Sequence, residues 1–476
     1  MCRHKLVLSI TLCFFYIGYS YCLGKDHQAN KPNKKPVNII LIMADDLGWG
    51  ELGCYGNSFN ETPNLDKMAQ NGLLFSHAYA AAPVCSPTRA SLMTGQYPAR
   101  VGITDFLAPK SERFLDPQQY VTMNEALNEE GYQTGIIGKW HLETNFINGL
   151  GGPQNHGFDE IIATETKYIA DGDYFAPYDK IASLAGEEGE FLADRLALEA
   201  EKFIERNKEA PFFLYLSHYS VHTTLAAPET TVNKYKRKFD EKYGVGMADK
   251  LFENQRGNRH RSKHKDNPYL AAMLEHVDQG LGRILEKLEA CGIAENTLVI
   301  FFSDNGGAGN VANNGGLRAN KTWLYEGGIR EPLLMTWPGN IQPGTVCDVP
   351  VSSIDFYPTF LSLANGKKKY KANLDGIDLS DLITDGKKPS KRPLFWHYPS
   401  ETGNWENRMA SAVQYEGFKL LEFYEDGRLE LYHLEEDEAE TENLVKSMPQ
   451  KVEALQGLLE KWKTEVKAEI PVIQEK

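Results

Sequence analysis

The chain has little cysteine and no C-x-x-C pair. Seven cysteines are spread over 476 residues, and three of them, Cys2, Cys13 and Cys22, lie near the N-terminus. The other four, Cys54, Cys85, Cys291 and Cys347, are far apart. That spacing argues against a zinc finger or ribbon and against a small disulfide-dense scaffold. Positive charge is also scarce. With 51 Lys and Arg against 65 Asp and Glu, the formal net charge is −14. So acidic a chain does not read as a nucleic-acid binder, and an anionic substrate would have to be drawn by a local cationic pocket. No internal run approaches the roughly 20 apolar residues that a membrane span needs. Hydrophobic content of 42% and charged content of 24% are those of an ordinary globular protein. The length suits one large domain with an appendage.

The N-terminus departs from this pattern. Arg3, His4 and Lys5 precede a short apolar run, LVLSITLCFFYIG, and Ser20 and Cys22 sit at the small-residue positions of a cleavage site. Residues 1–23 therefore read as a secretory signal peptide, which predicts a periplasmic or secreted protein. A retained anchor and lipid attachment through Cys22 are the alternatives. Loss of the leader removes Arg3 and Lys5 and takes the net charge from −14 to −16. Residues 24–36, GKDHQANKPNKKP, read as a polar linker.

Four apolar runs then end abruptly in polar residues. VNIILIMADD ends in Asp45 and Asp46, QTGIIGKWH in Lys139 and His141, PFFLYLSHYSVH in His218 and His222, and NTLVIFFSDNGG in Asp304 and Asn305. Continuous apolar strands predict a sheet buried on both faces. In open α/β sheets, ligands bind beyond the carboxyl ends of the strands. Helical apolar spacing marks 63–72, with Thr62 as the N-cap and Pro63 first, and also 190–207 and 268–292. The predicted fold is α/β: a large doubly wound mixed sheet flanked by helices, over 37–375. From about 376 to 476 the pattern changes. ASAVQYEGFKLLEFYEDGRLELYHLEED alternates as antiparallel strands with a turn at Glu425–Arg428, and an amphipathic helix follows at about 449–468. This predicts a smaller C-terminal α+β subdomain.

Asp45 and Asp46, adjacent at a buried strand end, repel each other, and a proton or a cation relieves the repulsion. Asp304 and Asn305 repeat the oxygen-rich pattern, and a carboxylate-heavy oxygen set suits Ca²⁺ or Mg²⁺ better than zinc. Any of these alone could be an ordinary turn; the joint pattern argues for a site.

The stretch CSPTRASLMTG, from Cys85, resembles the signature of the type I sulfatases, C/S-x-P-x-R followed by a small-residue helix and T-G. ILIMADDLGWGELGCYGN, GYQTGIIGKWH, SDNGG and LRANKTWLYEGGIREP appear around it in the family's order, and the likeness runs from about 37 to ENL near the C-terminus. The resemblance implies that Cys85 is oxidised to Cα-formylglycine, which requires a formylglycine-generating maturation enzyme as partner. One hydroxyl of the hydrated aldehyde would attack sulfur, and loss of the second hydroxyl's proton would expel sulfate. It implies one Ca²⁺ held by Asp45, Asp46, Cys85, Asp304 and Asn305. It also implies that Arg89 neutralises charge, that Lys139 and Lys321 bind sulfate, that His141 is the base for elimination and that His222 protonates the leaving alcohol. Thr224 stands where the family commonly has proline, and His218 competes with His222 for that role.

The expected activity is removal of sulfate from a sulfated oligosaccharide or polysaccharide, of ulvan, carrageenan, fucoidan or glycosaminoglycan type. Two alternatives stay open: a phosphate or phosphonate monoester hydrolase on the same fold, and a non-catalytic protein that binds sulfated glycans. Matched sulfate and phosphate esters separate the first, and binding without sulfate release identifies the second. Further afield, the basic run RGNRHRSKHK at 256–265 reads as a pocket rim or a solvated surface. Tyr168, Tyr174, Phe175 and Tyr178 read as sugar-stacking rings or as packing, and His156 as a weak pocket candidate.

Overall fold

The computed structural model describes residues 36–473 except 109–110, 144–149, 166–173, 180, 253–263, 310, 365–372 and 401–407. The expected signal peptide, nearly all of the linker, Tyr168 and most of the basic run lie outside the described residues.

The four apolar runs become neighbouring strands. The large sheet comprises β1 (Asn38–Ala44), β2 (Leu73–Tyr79), β3 (Gln133–Gly138), β4 (Glu160–Ile162), β5 (Phe212–Ser217), β6 (Thr297–Ser303), β7 (Arg330–Thr336), β8 (Thr345–Cys347) and β9 (Val351–Ser352). Its order is β4-β3-β5-β1-β6-β7-β2-β8, with β9 also on β2. Strands β4, β3, β5, β1 and β6 run parallel, and β7 is antiparallel to both β6 and β2. The sheet is therefore mixed. All seven residues of β1 are buried, because successive side chains enter different cores. Ile40, Ile42 and Ala44 join a cluster with the helices Leu192–Asn207, Glu229–Tyr243 and Pro268–Ala290. Ile39, Leu41 and Met43 join a second cluster with the helices Cys85–Thr94 and Phe356–Leu363. Residues Leu379, Leu382 and Ile383 also pack into this second cluster.

The parallel register brings the ends of β3, β5, β1 and β6 to one edge. Met43 pairs with Ser217 and Phe302, and Gly138 also pairs with Ser217. Their polar successors therefore converge.

The C-terminal strands β10 (Leu394–Tyr398), β11 (Ala410–Tyr415), β12 (Phe418–Phe423) and β13 (Leu429–His433) form an antiparallel sheet in sequence order. One face, with Trp396, Leu421 and Tyr432, packs on Tyr79, Val84, Leu324, Tyr325 and Ile329 of the large domain. The other carries the helix Pro449–Val466 through Leu455, Leu459 and Trp462. Burial of each such side chain is worth about 1.5–3 kcal/mol. The turn at Glu425–Arg428 is present, closed by the Phe423 N–H on Arg428 O at 3.0 Å.

Two local expectations differ. Thr62 holds the N-cap position of Pro63–Gln70 but makes no cap bond; its hydroxyl accepts from the Gly53 N–H at 2.9 Å and donates to Asp66 at 3.1 Å. Cys85 is not ahead of its helix but is the first residue in it.

Candidate active site

Beyond β1 the sheet opens. The Asp45 N–H donates to Ser220 O at 2.9 Å and the Asp304 N–H to Ala44 O at 3.2 Å. Asp46 then turns with φ 61°, and His141, after β3, has φ 60°. Left-handed backbone at non-glycine residues costs of order 1–3 kcal/mol and clusters at functional sites. Here it turns both side chains back over the strand ends.

The carboxylates, cations and thiol meet there. Lys139 Nζ donates to Asp45 Oδ2 at 2.5 Å, and Lys321 Nζ to Asp46 Oδ1 at 2.5 Å. Asn305 Nδ2 donates to the same Asp46 oxygen at 2.8 Å, and the Asp46 N–H donates to Asp304 Oδ1 at 3.2 Å. Arg89, fully buried, forks onto Asp304 Oδ2 at 2.7 and 3.0 Å and also donates to Lys139 O at 2.9 Å and Ser217 Oγ at 2.5 Å. Cys85 Sγ lies 3.3 Å from His141 Nδ1, whose ring is held through Nε2 on Leu107 O at 3.1 Å. His222 Nε2 lies 3.6 Å from Asp46 Oδ2. Eight of the ten residues expected at the site are therefore joined by these contacts, and Cys85 and His141 pair beside them, where Lys139, Lys321, Asp45 and Asp304 act on the thiol. Cys85 opens a ten-residue helix whose N-cap, Val84, makes no side-chain cap bond, so the positive helix end faces the pocket.

Crowding splits the two aspartates. Burial pushes Asp45 up to about 7 against the pull of Lys139, with Asp304 and Asp46 adding to the rise. Burial also raises Asp46, but Lys321, His222 and Lys139 outweigh it and hold that carboxyl below the usual range. Burial pushes His222 down to about 3 despite Asp46, so its imidazole is neutral near pH 7, and burial also raises the Cys85 thiol.

Two buried oxygens, Asp45 Oδ1 and Asn305 Oδ1, have no hydrogen-bond partner. Ligand atoms of Asp45, Asp46 and His222 lie within 4.8 Å of one another. Orphaned acceptors beside clustered carboxylates fit a hard divalent cation, which would satisfy them together.

His218 does not join the cluster. It is buried at the end of β5 with Nδ1 unpartnered, and burial pushes it down to about 4, opposed by Asp194. His156 packs on Trp140, with ring centroids 5.6 Å apart, and its Nε2 contacts Leu115 O. The described aromatics of that segment are packing: Tyr174 is fully buried and its hydroxyl donates to His222 O at 2.9 Å, Phe175 lies against Phe191, and the Tyr178 hydroxyl donates to Glu190 O at 3.0 Å. Tyr174 thus supports the His222 loop. None of Cys54, Cys85, Cys291 and Cys347 is in a disulfide.

Several site residues went unread in the sequence. Ser217 was findable, since it ends a strand already singled out. Glu331, in the REP run, carried no signal. It is fully buried, both its carboxyl oxygens lack partners, and burial beside Asp304 and Asp46 raises it well above the usual range. The glycines of YEGGIREP were read only as part of a motif. A Cβ on Gly327 would lie 2.5 Å from Ala319 O, and one on Gly328 would lie 2.0 Å from Trp323 O, so the loop carrying Lys321 can pack back on itself only over glycine. A cavity of about 830 Å³ lies at the opposite edge of the sheet, lined by Thr297, Thr336 and Met68 among others, and contains none of the clustered residues.

Comparison with known proteins agrees with this geometry. The family model described as Sulfatase matches residues 37–366, and one described as N-sulphoglucosamine sulphohydrolase, C-terminal, matches 318–468. A sulfatase of Formosa agariphila is 32% identical over 517 residues, covering 92% of this chain and 89% of its own. Arylsulfatase A of Homo sapiens is 33% identical, covering 77% of this chain and 72% of its own. The crystal structure of Ps i-CgsB superposes with a TM-score of 0.76 at 29% identity, covering 92% of this chain and 95% of that one. The same protein has been solved in complex with k-i-k-neocarrahexaose.

Proposed function

This chain belongs to the sulfatase family and is a sulfuric ester hydrolase, and from that premise we propose that it desulfates a carbohydrate by formylglycine chemistry at residue 85. The observation that carries this reading is Cys85 itself, first in its helix, 3.3 Å from His141 and within the electrostatic reach of Lys139, Lys321, Asp45 and Asp304. Oxidised to Cα-formylglycine and hydrated, residue 85 would supply two hydroxyls, one to attack sulfur and one to release sulfate on losing its proton. Asp45, Asp46, Asp304 and Asn305, with residue 85, would hold Ca²⁺, which would stabilise the negative charge on oxygen.

The chain's own residues divide the remaining work. Lys139 and Lys321 stand on either side of the aspartate pair and bind the sulfate oxygens, where fixed cations stabilise developing charge. His141 Nδ1 faces residue 85 and takes its proton. Arg89 holds Asp304 in place. His222, neutral near pH 7, would take a proton from solvent and pass it to the oxygen of the leaving alcohol as the sulfur–oxygen bond breaks.

A sulfated saccharide substrate is supported by Ps i-CgsB, solved with k-i-k-neocarrahexaose. The N-terminal pattern supports export to the periplasm or beyond.

The test is mass spectrometry of the Cys85 peptide from a maturation-competent host, followed by sulfate release from sulfated oligosaccharides and from matched phosphate esters. A hydrazide-reactive aldehyde with sulfate release is the expected result. An intact thiol in active enzyme overturns the mechanism, and faster phosphate release overturns the substrate class.

A further inference from the structure

The loop that carries Lys321 is gripped at both ends by a single glutamate from the C-terminal region. Residues 318–327 close on themselves, with the Gly327 N–H donating to Arg318 O at 2.8 Å. At one end, Arg318 Nη1 donates to the backbone O of Glu440 at 2.7 Å. At the other, the Glu326 N–H donates to the Glu440 carboxylate at 2.7 Å. Glu440 is fully buried and sits at φ 52°. Lys419 Nζ, fully buried on β12, lies 2.9 Å from Glu326 Oε1 and 3.0 Å from Glu440 Oε1, so one ammonium bridges both carboxylates. The Tyr79 hydroxyl takes the other Glu326 oxygen at 3.0 Å, and Arg330 stands 3.7 Å away.

Between these anchors the loop reaches the pocket. The Lys321 N–H donates to Gly307 O at 3.2 Å, and the Thr322 N–H donates to Pro83 O, two residues before Cys85, at 2.8 Å. Its tip is thereby set against both the Asp304–Asn305 strand end and the start of the Cys85 helix.

We propose that Glu440, bridged by Lys419, is a positioning residue for the hydrolysis: it fixes the loop so that Lys321 presents its ammonium to the sulfate. The proposal rests on the reading of Lys321 as a sulfate-binding group. A buried ion triad is weak evidence for stability, because its desolvation offsets most of its attraction; fixing a geometry is the better-supported use. Here the anchors fall on the two ends of one loop, and that loop holds the cation.

The experiment uses the matured full-length enzyme and reads the inhibition constant of inorganic sulfate, with kcat and KM on a sulfate ester and the melting temperature. Glu440→Gln keeps an acceptor for the Glu326 N–H but removes the charge that Lys419 bridges. Lys419→Met removes the bridge and leaves Glu440 in place, and it decides the matter if the first variant does not accumulate. Each substitution is expected to weaken sulfate inhibition about tenfold, and to change it less than about twofold when made on top of Lys321→Ala, as a coupling through Lys321 requires. A lowered melting temperature with unchanged sulfate inhibition overturns the proposal, as does an equal effect in the Lys321→Ala background. If Lys321→Ala alone leaves sulfate inhibition unchanged, the sulfate role of Lys321 falls and the proposal falls with it. If Lys321→Ala weakens inhibition while neither other variant does, only the positioning role falls.

Discussion

Two buried charge clusters in this protein share a plan and differ in one respect. At the sheet edge, Asp45 and Asp46 are partnered by Lys139 and Lys321. At the junction with the C-terminal sheet, Glu326 and Glu440 share Lys419. In each, burial pushes one carboxyl up to about 7, Asp45 in the first and Glu440 in the second. At the junction, all four carboxylate oxygens have a close polar neighbour among Lys419, Tyr79 and the Glu326 N–H. At the sheet edge, Asp45 Oδ1 and Asn305 Oδ1 have no hydrogen-bond partner. Glu440 Oε1 also makes no hydrogen bond, but every junction carboxylate oxygen has a protein donor atom within 3.0 Å, whereas Asp45 Oδ1 stands 3.9 Å from Arg89 Nη2 and the sheet-edge cluster has acceptor capacity to spare. That surplus separates a binding site from a clamp of similar composition.

Removing a cation from each cluster tests the distinction most strongly. Arg89→Met leaves Asp304 buried without its fork, and Lys419→Met strips two glutamates of their common partner; each is expected to lower unfolding free energy by about 3–5 kcal/mol, read from urea midpoints. Millimolar Ca²⁺ is expected to restore part of the Arg89→Met loss and none of the Lys419→Met loss. Equal recovery in both would erase the comparison.

Acid should act through a third buried group outside both clusters. Folded His218 is pushed down to about 4, against 6.5 for an ordinary histidine. Between those values the unfolded chain binds more protons, so this contribution to stability is present above pH 6.5 and is lost as pH falls towards 4. The loss is on the order of 3 kcal/mol. His218→Met should flatten that part of the stability–pH curve, and an unchanged slope would show that the imidazole is not held neutral.

For the wild-type chain, Ca²⁺ at about 100 times its dissociation constant should add about 2.7 kcal/mol of stability. EDTA should reverse the gain, and Asp45→Asn should abolish it; calorimetry with and without chelator reads this directly. At the bottom of the scale, Lys387→Ala breaks the exposed Lys387–Asp381 pair, 3.0 Å apart, and should leave the melting temperature unchanged.

The sheet-edge cluster was legible in the sequence because four of its contributors follow uninterrupted apolar strands. Strand-end position and side-chain chemistry are both local features, so Asp45, Lys139, His222 and Asp304 announced themselves. The junction cluster was not legible. Glu326, Lys419 and Glu440 are far apart in the chain, and Glu440 lies in an acidic run that reads as solvated surface. The pairing of β12 with β13, which sets Lys419 opposite Tyr432, and the packing of Tyr432 on Tyr325 bring them together. β10 was missed for a related reason: LFWHY is short, follows a charged stretch and gains its meaning only from pairing with β11. The turn between β11 and β12 rests on Glu416 and Gly417, both at positive φ, and Glu416 is not a residue from which that conformation is read.

Residue 85 is 2% exposed once the chain has folded. Whatever another enzyme does to its side chain must be done while CSPTRASLMTG is still extended, before β1 and the C-terminal sheet close around it. Folding therefore acts as a deadline. On the formylglycine reading proposed above, a molecule that misses it would keep its thiol, and the active fraction of a preparation would record how maturation and folding competed when each chain was made.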